Sequence, residues 1–162
     1  MEQIIGSHIV LRKLHYRYIS SYLDAFVDEI KKTLHVSGRD AEYTYLLQRL
    51  SLVGIEQTFF FIIFHKQRNN CIGAIEIRGA EHAGQLYCWL HPSYWGRNYF
   101  QEAMMLASRV YFSITNALYF TARVDIDNIR SYRALKKIGF ADYHWVDGPH
   151  GKQYELILRK KV

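Results

Sequence analysis

At 162 residues the chain suits a single domain spanning residues 1–162, able to bury roughly two thirds of its unfolded surface without help from disulfides or metals. An apolar fraction of 49% against 22% charged excludes a disordered chain. Two cysteines, Cys71 and Cys88, without metal-ligand spacing exclude a disulfide framework and a zinc site.

The formal charge of +6 favours acidic partners such as nucleotide phosphates or a ribosome. The Lys and Arg residues are scattered, however, and form no stripe with interleaved aromatics, so specific nucleic-acid binding is not expected. The opening residues lack a basic region followed by an apolar run. The longest apolar run, residues 59–64, is far too short to cross a bilayer. A cytoplasmic protein without membrane association is expected, as a monomer or homodimer.

Residues 8–14 carry Ile9, Val10 and Leu11 and read as a short strand. Ile19, Tyr22, Leu23, Phe26, Val27 and Ile30 then recur at helical spacing, which predicts one amphipathic helix over residues 16–32. Ser37, Gly38, Arg39 and Asp40 break that pattern. A second helix follows, with Tyr43, Leu46, Leu47, Leu50 and Val53 on one face. Residues 57–65 hold the densest apolar block and read as a strand covered on both faces. A polar turn at 66–70, a strand at 71–78, a turn at 79–84 and a strand at 85–90 complete three strands able to pair as an antiparallel meander.

Ala103, Ala107, Val110, Tyr111 and Ile114 mark a helix of about four turns. Residues 118–126 alternate as a strand, so residues 85–126 form a strand, helix, strand crossover that makes the two strands parallel. Asp127 precedes a short helix at 128–138 that ends on Gly139, and residues 140–146 and 153–159 form a last hairpin. Between strand and helix lies a loop with Gly96, Arg97 and Asn98. At a helix start, such a loop aims backbone N–H groups at one point where the helix dipole favours an anion. It reads as a phosphate cradle.

Two segments together go further. The run WLHPSYWGRNYFQEA of residues 89–103 resembles the acetyl-CoA pyrophosphate-binding motif of the GNAT N-acetyltransferase superfamily. The run NIRSYRALKKIGF of residues 128–140 is similar to that superfamily's next motif, an Asn and a Ser three apart followed by Lys-x-Gly-Phe. The element order is similar over essentially the whole chain, and the branch it resembles most is that of the ribosomal-protein-alanine acetyltransferases.

The resemblance implies an α/β (α+β) GNAT fold. Its mixed central sheet would have about seven strands, an antiparallel meander plus a splayed parallel pair, flanked by about four helices. It implies an acetyl-CoA-dependent N-acetyltransferase acting on a primary amine, either a protein N-terminus, possibly of a ribosomal protein, or a small molecule, by direct attack in a ternary complex without a metal. Backbone groups of Trp89 and Leu90 would bind the pantetheine and supply the oxyanion donor. Arg97, Asn98, Tyr99 and Phe100 would hold the pyrophosphate. Asn128 would bind the pantetheine arm, and Ser131 would bind the cofactor near the thioester sulfur and donate a proton to the leaving thiolate.

The sequence departs from the family pattern at Asn98, where glycine is usual, at Phe100, where a small residue is common, and at Leu135, where many relatives carry an acidic tyrosine. Gln85 stands where relatives often have a glutamate base, leaving Glu76, Glu155 and His144 as alternatives. The acceptor would approach near Tyr22, Phe26, His35, Tyr87 and the 147–151 loop. A silent GNAT-fold module that binds CoA or a protein partner is the alternative reading.

Overall fold

The computed structural model describes residues 2–53, 59–79 and 83–162. Its strands are β1 (Gln3–Ile5), β2 (Ile9–Lys13), β3 (Phe59–His65), β4 (Cys71–Arg78), β5 (Gly84–Leu90), β6 (Tyr119–Asp125), β7 (Ala141–Gly148) and β8 (Gly151–Arg159). The α-helices are α1 (Ile19–Ala25), α2 (Asp28–Thr33), α3 (Arg39–Ser51), α4 (Tyr99–Ile114) and α5 (Ile129–Ile138). All eight strands form one sheet in the order β1-β2-β3-β4-β5-β6-β8-β7. Every neighbouring pair is antiparallel except β5 and β6.

Strand periodicity sorts the apolar side chains into two cores. Phe59, Phe61, Ile63, Ile75, Ile77, Leu86, Phe120, Ala122, Val124 and Leu156 pack with Ala103, Met104, Ala107 and Tyr111 of α4 and Leu135 of α5. On the other face Phe60, Ile62, Phe64, Ala74 and Trp89 pack with Ile19, Tyr22, Leu23 and Phe26, and with Ile30 of α2 and Leu46 of α3. Every residue of β3 is buried, which is why its sequence runs apolar without alternation.

The fold class agrees with the sequence expectation, with two differences in count. Gln3–Ile5 adds a strand paired to β2, too short to leave a periodic signature. The expected single helix over residues 16–32 is a 3-10 turn followed by α1 and α2, broken at Phe26 (φ −82°, ψ 71°). The break lets Phe26 and Ile30 both reach the core, at 1% and 3% exposure, although they lie on separate helical segments. The expected strand start at Gln57 and Thr58 and residues 80–82 of the 79–84 turn lie outside the described residues.

Candidate active site

The parallel ladder between β5 and β6 is short. It pairs Gly84 with Phe120, Gln85 with Thr121 and Leu86 with Ala122, and there it ends. Beyond those three pairs β5 stays bound to β4 as far as Leu90, and β6 stays bound to β8 as far as Asp125. The strands therefore diverge, and their facing edges border a cleft of about 580 Å3. Its wall includes residues of α4 and α5 from one face of the sheet and of α2 from the other.

On the α4 side the loop after β5 is built from local rules. Pro92 opens a 3-10 turn capped by the His91 side chain, and the Trp95 indole N–H donates to the Leu90 carbonyl at 2.7 Å, pinning loop to strand. Gly96 (φ 73°) and Asn98 (φ 62°) both take left-handed conformations, the second immediately before α4. The amides of Tyr99, Phe100 and Gln101 precede the first intrahelical bond, from Glu102 N–H to the Asn98 carbonyl, so they are the orphan donors of the helix start. A Cβ at Gly96 would meet no atom within 4 Å, which leaves the approach to these amides open.

Positive charge gathers at the same end. The Lys137 ammonium donates to Asn98 Oδ1 at 2.9 Å, and the Arg130 guanidinium lies 3.0 Å from the Trp95 ring centroid, a close cation–π contact. Both residues line the cleft. Asn128 caps α5 by accepting the Ser131 N–H at 3.3 Å, leaving its carboxamide NH2 to donate elsewhere. An anion-seeking loop followed by an apolar channel past Leu90, Phe100, Val124, Ala134 and Leu135 fits a pyrophosphate with an extended, mostly apolar arm.

On the α2 side the cleft is polar. His35 Nε2 lies 2.9 Å from Asp125 Oδ2, the other carboxylate oxygen accepts from Gln153 at 2.9 Å, and the His150 ring stacks on His35 with centroids 4.0 Å apart. Burial alone would raise the Asp125 carboxyl, but the hydrogen bonds from Gln153 and His35 outweigh it and hold it below the ordinary value. Cys88 also lines the cleft, and desolvation pushes its thiol up to about 12, so it supplies no thiolate near neutral pH.

Beneath this floor a buried chain supports Trp89. Its indole N–H donates to Tyr22 Oη at 3.0 Å, and Tyr22 donates to Glu42 Oε1 at 2.6 Å. Burial, reinforced by Glu42, pushes the Tyr22 hydroxyl well above its ordinary value. Burial also raises the Glu42 carboxyl.

Of the residues singled out from sequence, Trp89, Leu90, Asn98, Tyr99, Phe100, Asn128 and Ser131 all line this cleft. Arg97 does not, and is exposed on the outside of the loop. Arg130 and Lys137 line the cleft beside the loop instead. Glu76, 3% exposed, is also outside the cleft wall. Its carboxylate sits 2.7 Å from Arg49 Nε and 3.2 Å from Arg78 Nε and accepts from Tyr45, so its oxygens are already engaged and it is ill placed to act as a base. Glu155 is similarly engaged, by Arg123 at 2.8 Å and His144 at 3.1 Å. It lines a separate surface hollow against β7.

Tyr22 and Phe26, expected near the acceptor, are core residues at 2% and 1% exposure. His35, Tyr87 and His150 do border the cleft. The contacts joining His35 to Asp125 and His150 span 90 or more positions and left no mark in the sequence. Arg130 was findable in principle, as a cation within the Asn-x-x-Ser segment.

No curated protein matches the sequence. Similar solved structures share the fold at low identity. The ribosomal-protein-S5-alanine acetyltransferase of Vibrio fischeri has a TM-score of 0.75 at 17% identity, covering 97% of this chain and 96% of its own. The Salmonella typhimurium acetyl transferase that modifies the N-terminal serine of the 50S subunit protein L7/L12 has a TM-score of 0.84 at 11% identity, covering 96% and 97%. The microcin C7 self-immunity acetyltransferase, solved with acetyl-CoA and AMP, has a TM-score of 0.80 at 13% identity, covering 96% and 94%. Residues 9–141 match the acetyltransferase (GNAT) domain family, a stretch that holds the whole of the splayed strand pair and all three cleft-lining helices, and the chain belongs to that family of acyltransferases.

Proposed function

We propose that this chain transfers the acetyl group of acetyl-CoA to a primary amine, with a protein N-terminus as the foremost acceptor class. The observation that carries the reading is the cleft between β5 and β6, which joins an anion-binding helix start on one face of the sheet to a polar pocket on the other. Loop amides of residues 97–100, Arg130 and Lys137 would hold the pyrophosphate, and the Asn128 carboxamide with the free edge of β5 would hold the pantetheine. The Leu90 carbonyl accepts the Trp95 indole, and since only N–H groups can donate to an oxyanion, the Trp89 or Leu90 amide would serve there.

Bound acetyl-CoA supplies an activated thioester carbonyl. Cys88 keeps its proton, which favours direct attack by the amine over an acyl-cysteine intermediate. Ser131, on the cleft wall, would hand a proton to the departing sulfur. The ribosomal-protein alanine and the N-terminal serine named as acceptors of two proteins of the same fold support a protein acceptor, and the formal charge of +6 suits an acidic body in the cytoplasm. Among the described residues no helix is long and apolar enough to cross a membrane.

The test is calorimetric titration with acetyl-CoA, followed by thiol release with peptides starting in Ala or Ser and with small amines. Micromolar binding and turnover with a peptide are expected. Absence of acetyl-CoA binding would end the reading, and binding without turnover of any amine would reduce the chain to a silent CoA-binding module.

A further inference from the structure

His35 occupies a position that disfavours it. α2 ends in a Schellman motif, with Val36 N–H donating to the Lys31 carbonyl at 2.8 Å and His35 N–H to the Lys32 carbonyl at 3.3 Å. The residue at the turn of such a motif is left-handed, and glycine or asparagine is the low-strain choice there. Here φ is 57° on a histidine. The conformation aims the ring over the free end of β6, where its Nε2 meets Asp125. Asp125 belongs to the face of β6 opposite Ala122 and Val124, which are core residues under α4 and α5. The imidazole and its carboxylate therefore sit on the α2 side of the cleft, across the sheet from the helix-start loop.

From this geometry we infer that His35 is the general base for the acceptor amine and that Asp125 is its positioning residue. The inference rests on the acyl-transfer reading of the same cleft. With Nε2–H donated to Asp125, the tautomer leaves the Nδ1 lone pair to take a proton. The acceptor's ammonium gives one proton to His35 Nδ1. The neutral nitrogen then bonds to the acetyl carbon as the carbon–sulfur bond breaks. The second proton shed by that nitrogen ends on the thiolate, by way of Ser131, and His35 returns its proton to solvent.

The charged and titratable surroundings favour this assignment over the carboxylates expected from sequence. Asp125 faces His35 from β6, and Arg123 on the same strand face is bound to Glu155. His150 stacks on His35 from the β7–β8 turn, the uncharged Gln153 fixes Asp125 from β8, and on α2 Lys31 is paired with Asp28. The His35 ring is thus held between the Asp125 carboxylate and the His150 ring.

The experiment uses His35→Gly, because glycine relieves the left-handed turn and the variant will fold. Its melting temperature should equal or exceed that of the unaltered protein, and its acetyl-CoA Kd should not move. With an Ala- or Ser-initiated peptide, kcat at pH 7 should fall by about 10²-fold, the acid limb of kcat/KM should disappear, and added imidazole should restore activity at least about fivefold. Asp125→Asn should move the acid limb to lower pH by withdrawing the carboxylate that favours the imidazolium, and His150→Ala should move it higher. His35→Gly within about threefold of the unaltered enzyme, with the same acid limb, overturns the inference while leaving the acetyltransferase reading intact. Failure of the unaltered protein to bind acetyl-CoA, or to turn over any amine, overturns both.

Discussion

Replacing Tyr22 by Phe removes one oxygen atom from the centre of the α1–α3 core. That oxygen accepts from the Trp89 indole and donates to Glu42, and Tyr22, Trp89 and Glu42 are 2%, 6% and 7% exposed. Water does not replace the lost partner at such depth. An unpaired buried N–H costs about 1–3 kcal/mol, and a hydrogen bond to a charged acceptor is worth about 1.5–3 kcal/mol. A combined loss of about 3 kcal/mol is expected, which for a chain of this size lowers the melting temperature by about 6–12 °C. Thermal unfolding followed by circular dichroism reads the shift directly, and Trp fluorescence reports the change around Trp89. Adding Glu42→Leu should recover part of the loss, because the double variant no longer buries a carboxylate deprived of its donor. A fall smaller than about 3 °C for Tyr22→Phe, or no recovery in the double variant, would refute the view that the three groups form one supporting chain.

The raised Glu42 carboxyl makes a pH prediction of opposite sign to the usual carboxylate. The folded state holds the proton more tightly than the unfolded one, so this group favours folding at low pH, and that contribution is lost as pH rises from the ordinary carboxyl range through the raised value. Glu42→Gln should therefore gain in melting temperature relative to the unaltered protein between pH 4 and pH 8, and a gap that narrows with pH would contradict the assignment. Gly96→Ala forces a side chain into a left-handed turn at a cost of about 1 kcal/mol and distorts the cradle. A drop of about 3 °C with roughly fivefold weaker acetyl-CoA binding is expected by thermal shift and calorimetry, and unchanged affinity would remove the loop from the binding site. Ser131→Ala should lower kcat for thiol release by about 10-fold or more at constant acetyl-CoA Kd, and an unchanged kcat would mean another group protonates the sulfur.

Much of this architecture was readable because it is written in local periodicity. The alternation of Phe120, Ala122 and Val124 against Thr121, Arg123 and Asp125, the unbroken apolar run of β3, and Gly139 closing α5 at φ 118° all follow from rules spanning a few residues. The break at Phe26 was hidden because Tyr22, Leu23, Phe26 and Ile30 keep helical spacing across it. The site divides in the same way. Its helix-start half, proposed to take the pyrophosphate, lies in two contiguous segments that the sequence reading singled out and that line the cleft. Its polar half, proposed to take the acceptor, is assembled from the end of α2, the end of β6 and the β7–β8 turn, and only tertiary packing brings those together. Glu76 shows the converse failure. Strand alternation set its face correctly, but the guanidinium groups that engage it come from α3 and from its own strand, and a list of acidic residues carries no sign of them.

The three-rung ladder between β5 and β6 has a consequence for solubility. Strand edges with free amides and carbonyls are templates for unwanted pairing, and this molecule has two at the sheet margins, on β1 and β7. It has two more in its interior, where β5 and β6 turn their unladdered backbones toward each other. A ligand that hydrogen-bonded along those inner edges would act as a plug against the insertion of a foreign strand. Resistance to aggregation on mild heating should therefore follow ligand concentration, since the free protein has four edges to guard and the loaded protein has two.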